Sequence, residues 1–183
     1  FKPHYPIGGE REIVMKRVEK VIPEPIPQKA VHALSRINEE KKLMFARLDD
    51  QGKVHITVIQ REENFMGEVE ESQSTHTLDA PSPVLKMTAN PNGSRLFTYH
   101  ENGHLAFWGI RGNKSIPESS LSIRREQRKV TDLKGMVGEE GVAMSFDNGD
   151  LDIYSMLTEP SGKRSPILIH HTNLDAMPIA ELL

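Results

Sequence analysis

The stretch Met87–Ile110, "MTANPNGSRLFTYHENGHLAFWGI", decides how the chain is read. A Pro-Asn-Gly turn leads into an apolar run, His-Glu-Asn-Gly breaks it, and a second apolar run follows, carrying the chain's single tryptophan. Glycine accepts positive φ without a Cβ clash and Asn tolerates it, so the break is a hairpin turn between two strands. Whether the hairpin stands alone or recurs sets the fold, because a period of 20–50 residues marks a repeat architecture.

It recurs. "LMFARLDDQGKVHITVI", "LFTYHENGHLAFWGI" and "VAMSFDNGDLDIYSM" align on Gly52, Gly103 and Gly149, which lie 51 and 46 residues apart. Two residues after each glycine stands an aliphatic (Val54, Leu105, Leu151), and four after stands Ile56, Phe107 or Ile153. An aromatic follows directly in the last two copies, Trp108 and Tyr154, whereas the first has Thr57. Leu105 and Phe107 point one way, while Ala106, Trp108 and Ile110 point the other. Apolar side chains on both faces describe a sheet covered on both sides.

Each hairpin has flanking strand candidates. "VHALSRI" (31–37), "VLKMT" (84–88) and "VTDLKGM" (130–136) precede the three copies, and "STHTLD" (74–79), "LSIRR" (121–125) and "PILIHH" (166–171) follow them. Four strands per unit at a period near 50 residues is the pattern of a β-propeller blade. A β-sandwich also repeats hairpins, but at turn spacings of about 8–12 residues. The expected fold is therefore all-β: a partial β-propeller of about three four-stranded blades, at about 31–79, 84–125 and 130–171, with "MPIAELL" (177–183) opening a fourth. Residues 1–30, rich in proline and glycine, form an extended lead-in. "REENFMGEVEESQSTH" reads as a long exposed connection and "TEPSGKRSP" as a surface turn. Propellers have about 4–8 blades, so either the rest of the ring was removed or a second copy completes it, the latter making a homodimer through the open blade edges.

Composition excludes several functions. With 183 residues, 37% hydrophobic and 27% charged, the chain has the make-up of an ordinary soluble domain. A formal net charge of −3 opposes a dedicated nucleic-acid binder. No apolar run reaches the roughly 20 residues of a membrane helix. The absence of cysteine removes disulfides, thiolate metal sites and cysteine nucleophiles. The chain starts at Phe1 without a signal peptide, which reads as a processed or excised piece.

No catalytic constellation emerges, and neither a cofactor nor a metal is called for. His100 and His104 have an H-x-x-x-H spacing, but Gly103 puts it across a hairpin rather than on a helix face. His170 and His171 are adjacent on a strand and face opposite ways. "IRREQRK" (123–129) lacks the interleaved aromatics of a nucleic-acid patch and reads as a charged outermost strand guarded against edge pairing. The Asn92-Gly93-Ser94 and Asn113-Lys114-Ser115 tripeptides match a glycosylation pattern that arises often by chance. Phosphate-loop and nucleophile-elbow motifs are missing. Partner contact is expected at the exposed turns between middle strands, at Asp50, His100, Asn102, Asp147 and Asn148.

The Met87–Ile110 hairpin resembles a WD40-type blade, with Trp108-Gly109 replacing the usual Trp-Asp. That resemblance implies a divergent propeller. A second resemblance rests on "FKPHYPI" at the start, then "LDDQGKVHI", then "SPILIHHTNLDAMPIAELL". Together these are similar to the long form of the bacterial phosphate ABC-transporter permease family, which carries a large extracytoplasmic insert between its first two membrane helices. It implies a non-enzymatic interaction or regulatory domain facing the periplasm from an inner-membrane parent. Its partners would be other transporter subunits and the periplasmic phosphate-binding protein, with phosphate translocation left to the membrane helices. The alternative is a fragment of a cytoplasmic WD40-like protein-interaction scaffold.

Overall fold

The computed structural model describes residues 35–37, 42–63, 65–91, 93–111, 114–123, 128–138, 140–174, 179 and 181–182. Among the described residues, twelve strands make three four-stranded antiparallel sheets, each a meander in sequence order. The first contains β1 (Ser35–Ile37), β2 (Lys42–Leu48), β3 (Val54–Glu63) and β4 (Val69–Thr77). The second contains β5 (Val84–Ala89), β6 (Arg95–His100), β7 (His104–Arg111) and β8 (Lys114–Ser122). The third contains β9 (Val130–Gly135), β10 (Gly141–Phe146), β11 (Asp150–Thr158) and β12 (Arg164–Asn173). Three four-stranded blades are what the glycine repeat predicts.

The middle strands β6 and β7 are apolar on both faces because each face serves a different core. Leu96, Ala106 and Trp108 turn toward blade 1, where they meet Met44, Ala46, Val54, Ile56 and Val58. Phe97, Tyr99, Leu105 and Phe107 turn toward blade 3, against Leu133, Val142, Met144, Phe146 and Tyr154. Phe97 and Phe107, Cα partners in the ladder, stack edge to face with centroids 5.3 Å apart. That geometry contributes about 0.5–1.5 kcal/mol beyond burial.

Blades 2 and 3 converge at their first strands. At Gly135 an added Cβ would lie 2.2 Å from the Ala89 carbonyl oxygen, and its N–H donates to Thr88 Oγ1 at 3.1 Å. Only a residue without a side chain lets the two backbones approach so closely.

The three repeat turns share one geometry. Gly52, Gly103 and Gly149 have φ of 74°, 83° and 85°. Their N–H groups donate to the carbonyls of Asp49, His100 and Phe146, each three residues back, at 3.1, 2.9 and 3.2 Å. Each is a four-residue turn closed by a left-handed glycine, one of the common longer hairpin connections.

Three expectations are corrected. The acidic stretch expected as a long loop is mostly strand, because β3 and β4 stay in continuous register from His55↔Thr77 to Glu63↔Val69. Backbone pairing extends there through residues that are nearly all polar. The outermost strand of blade 2 is Lys114–Ser122 rather than 121–125. Its Pro117 is accommodated on the outermost strand, beside a register shift, where a missing N–H costs little. Residues 128–129 of the basic stretch are not strand, and residues 124–127 lie outside the described residues. The 1–30 lead-in and most of the 177–183 segment also lie outside them, and Ile179, Glu181 and Leu182 are not in a strand.

Candidate functional site

In a meander, alternate turns fall at the same end of the sheet. The Gly52, Gly103 and Gly149 turns therefore share one rim with the inter-blade linkers. Backbone bonds tie the rim together. Leu78, Ile123 and Leu174 donate back into the three hairpins, to Val54, Gly103 and Gly149, at 2.8–2.9 Å. Val84 donates to Gly52, and Glu101 to Pro83, so each turn is held by the linker beside it. Gln51, Gly52 and Lys53 with Thr77–Pro83 border a shallow recess of about 450 Å³ on this rim.

The five residues expected to meet a partner divide here. Asp50, Asn102 and Asp147 are exposed and Asn148 is half-buried. Asn102 Oδ1 accepts from the His104 N–H, Asn148 Oδ1 from Asp150 and Asp147 Oδ1 from Lys129, at 3.2, 3.1 and 2.7 Å. These side chains therefore also shape the turns. His100 is the correction: it is 1% exposed, because its ring folds under the turn rather than out of it.

The His100 position is fixed by a chain of hydrogen bonds. The Ser82 carbonyl can only accept, so His100 Nδ1–H donates to it at 2.9 Å. Nε2 then accepts from the Thr98 hydroxyl at 2.8 Å, and Thr98 Oγ1 accepts from the Trp108 indole N–H at 2.8 Å. One proton arrangement satisfies every group, with His100 neutral. Burial pushes the imidazole below its ordinary pKa, outweighing the Ser82 bond, and His104 acts in the same direction as burial.

Blade 3 builds a different polar cluster at the equivalent position. Asp152 is wholly buried. Its carboxylate accepts from Tyr154 Oη at 2.9 Å and from His171 Nδ1 at 2.7 Å, with Arg128 Nη1 at 3.0 Å. Arg128 also lies 4.0 Å above the centre of the Phe146 ring and 3.3 Å from Asp150 Oδ2. Burial, then the neighbouring carboxylate, raise the Tyr154 phenol above its ordinary range. Hydrogen bonds from Asn173 and Asn148 hold Asp150 below the usual carboxylate range. Asp-x-Asp-x-Tyr at period 2, inside an otherwise apolar strand, was the sequence signal for a buried carboxylate needing a cation.

At the opposite rim, Gly109 explains the departure from Trp-Asp. A Cβ there would meet Glu118 Oε1 at 2.9 Å. Register shifts between Phe107 and Trp108 and between Ile153 and Tyr154 leave Glu118 and Ile169 as the extra residues of two equivalent bulges. Blade 1, with Thr57 at that position, has no such shift. The bulge re-aims Glu118. It pairs with Arg95 and Arg164, and both arginines also pair with Glu140, closing a four-membered ionic ring between blades 2 and 3.

No family model matches this chain, and no curated protein matches it. Among solved structures it is similar to the WD40 domain of SCAP from fission yeast, with 16% identity and a TM-score of 0.51, covering 77% of this chain and 30% of that one. It is also similar to Saccharomyces cerevisiae Sqt1, with 13% identity and a TM-score of 0.52, covering 82% of this chain and 36% of that one. The chain thus spans about a third of the length of these structures. The likeness establishes the fold: three blades of a WD40-type β-propeller.

Proposed function

We propose that this chain is a non-enzymatic protein-interaction scaffold. The observation that carries the reading is the rim: three equivalent glycine turns, tied by backbone bonds to their linkers, present Asp50, Asn102 and Asp147 to solvent from rigid blades. Loops positioned by a rigid framework are where binding concentrates. The WD40-type fold supports the same reading. Asp50→Arg and Asn102→Arg test it by affinity against interacting proteins isolated with the wild-type chain. Each is expected to lower affinity severalfold without altering the circular dichroism spectrum. Unchanged affinity in both variants overturns the role of this rim.

A finer reading places the scaffold in phosphate uptake, as the periplasm-facing domain of an inner-membrane permease. It is supported by the resemblance of "LDDQGKVHI" and "SPILIHHTNLDAMPIAELL" to the long-form permeases. Titration calorimetry with a phosphate-loaded periplasmic binding protein checks it, with inorganic phosphate alone as the control. Binding of the loaded protein and not of free phosphate is the expected result. No heat from the loaded protein removes the transport reading and leaves the scaffold reading standing.

A further inference from the structure

The hairpin joining β3 and β4 ends in a tip that the fold does not explain. Phe65 is 97% exposed and Met66 is 70% exposed. Both sit in the turn, where glycine, proline, asparagine and aspartate serve the backbone and a bulky apolar pair does not. The turn stands clear of the body, since at Gly67, with φ of 80°, an added Cβ would meet nothing within 4 Å. The corresponding tip of blade 3 is polar, with Pro160, Ser161 and Gly162 between β11 and β12.

Around this apolar tip the sequence concentrates acid. Residues 61–71 contain five glutamates and one arginine, so this segment is more negative than the whole chain at −3. Glu68, Glu70 and Glu71 are exposed. Three like charges within four residues repel one another, which weakens the hairpin. A feature that costs the folded chain both apolar exposure and like-charge repulsion is relieved by an occupant that covers the first and neutralises the second.

We infer that the β3–β4 tip is a docking finger for a protein partner whose apolar pocket is rimmed by lysine and arginine. Phe65 is the anchor, since a rigid aromatic side chain in a desolvated pocket carries most of the affinity in such contacts. The glutamates steer the approach, which makes association salt-dependent. Anionic bilayers and nucleic acids are repelled by the same charge. The finger lies at the rim opposite the glycine turns, so it is a second contact surface and does not depend on the first.

The test is photo-crosslinking from p-benzoylphenylalanine placed at position 65 of the intact chain, in the cells that make it. The same group at Val137, also 97% exposed on another turn, is the control. The expected result is a protein adduct from position 65 and not from 137, with the crosslinked peptide in an apolar site bordered by lysine or arginine. Its yield falls severalfold in Glu70→Lys and on adding salt, with Glu70→Gln intermediate. Circular dichroism verifies that these surface variants fold. The proposal is overturned by no adduct, by a yield indifferent to Glu70→Lys, or by an adduct joining two copies of this chain. Binding of the wild-type chain to phosphatidylcholine–phosphatidylserine vesicles that is lost in a Phe65→Ala variant overturns it in favour of a lipid surface.

Discussion

Thr98 is the pivot of the blade 2 hydrogen-bond chain, accepting from Trp108 and donating to His100. Thr98→Val keeps the shape but strands two buried polar groups, so it is expected to cost about 2 kcal/mol or more, read from the urea midpoint. His100 also sets a pH dependence. Its folded-state pKa lies below the unfolded value of 6.5, so in that window the unfolded chain binds more protons. Stability is full above 6.5 and falls as the pH drops through it, and the half-buried His76, shifted down by burial, adds to the same loss. Urea midpoints measured between about pH 7.5 and 5.5 should fall, with a shallower fall in His100→Gln. Sequence could place His100 at a turn, but not say which way its ring pointed, because the Ser82 carbonyl that captures it lies 18 residues upstream.

The strands divide by how their chemistry is written. β6, β7, β10 and β11 were legible because a left-handed glycine and apolar residues on both faces leave few alternatives. The outer strand of blade 3 was legible, 166–171 lying within Arg164–Asn173, whereas β8 and most of β4 were not, because they carry serine, glutamate and, in β8, proline. β8 and the distal half of the β3–β4 hairpin are held by backbone ladders that composition does not reveal. Bulges are equally silent, although one of them aims Glu118 at two arginines. Two glycines in these strands give a ranking. Gly109→Ala meets the end of the Glu118 side chain, which can shift within its ionic ring, and is expected to cost about 1 kcal/mol or a little more, whereas Gly135→Ala meets backbone and should cost about 3 kcal/mol or more. Thermal unfolding of the two variants checks the order.

Among the described residues, blade 2 is the shared partner of two cores, while blade 3 has one covered face. Beyond it Leu151 and Ile153 are half-buried, and the edge strand β12 exposes Ile167, Leu168 and Ile169, the last at 55%. An apolar strand that edges its sheet among the described residues templates association. Light scattering over a concentration series should give a mass rising above the 20.6 kDa of one chain, and Leu168→Lys should hold it near that value. A constant 20.6 kDa for the wild-type chain rules out self-association through this edge.

The single indole gives the molecule an uneven optical readout. Trp108 is buried in the core between blades 1 and 2, and the aromatic at the matching position of blade 3 is Tyr154. Emission excited selectively at the indole therefore follows the separation of blades 1 and 2. Blade 3 can peel from its neighbour while that signal barely changes. A denaturation curve by tryptophan emission that lags one by far-ultraviolet dichroism would be the optical signature of blade 3 leaving first.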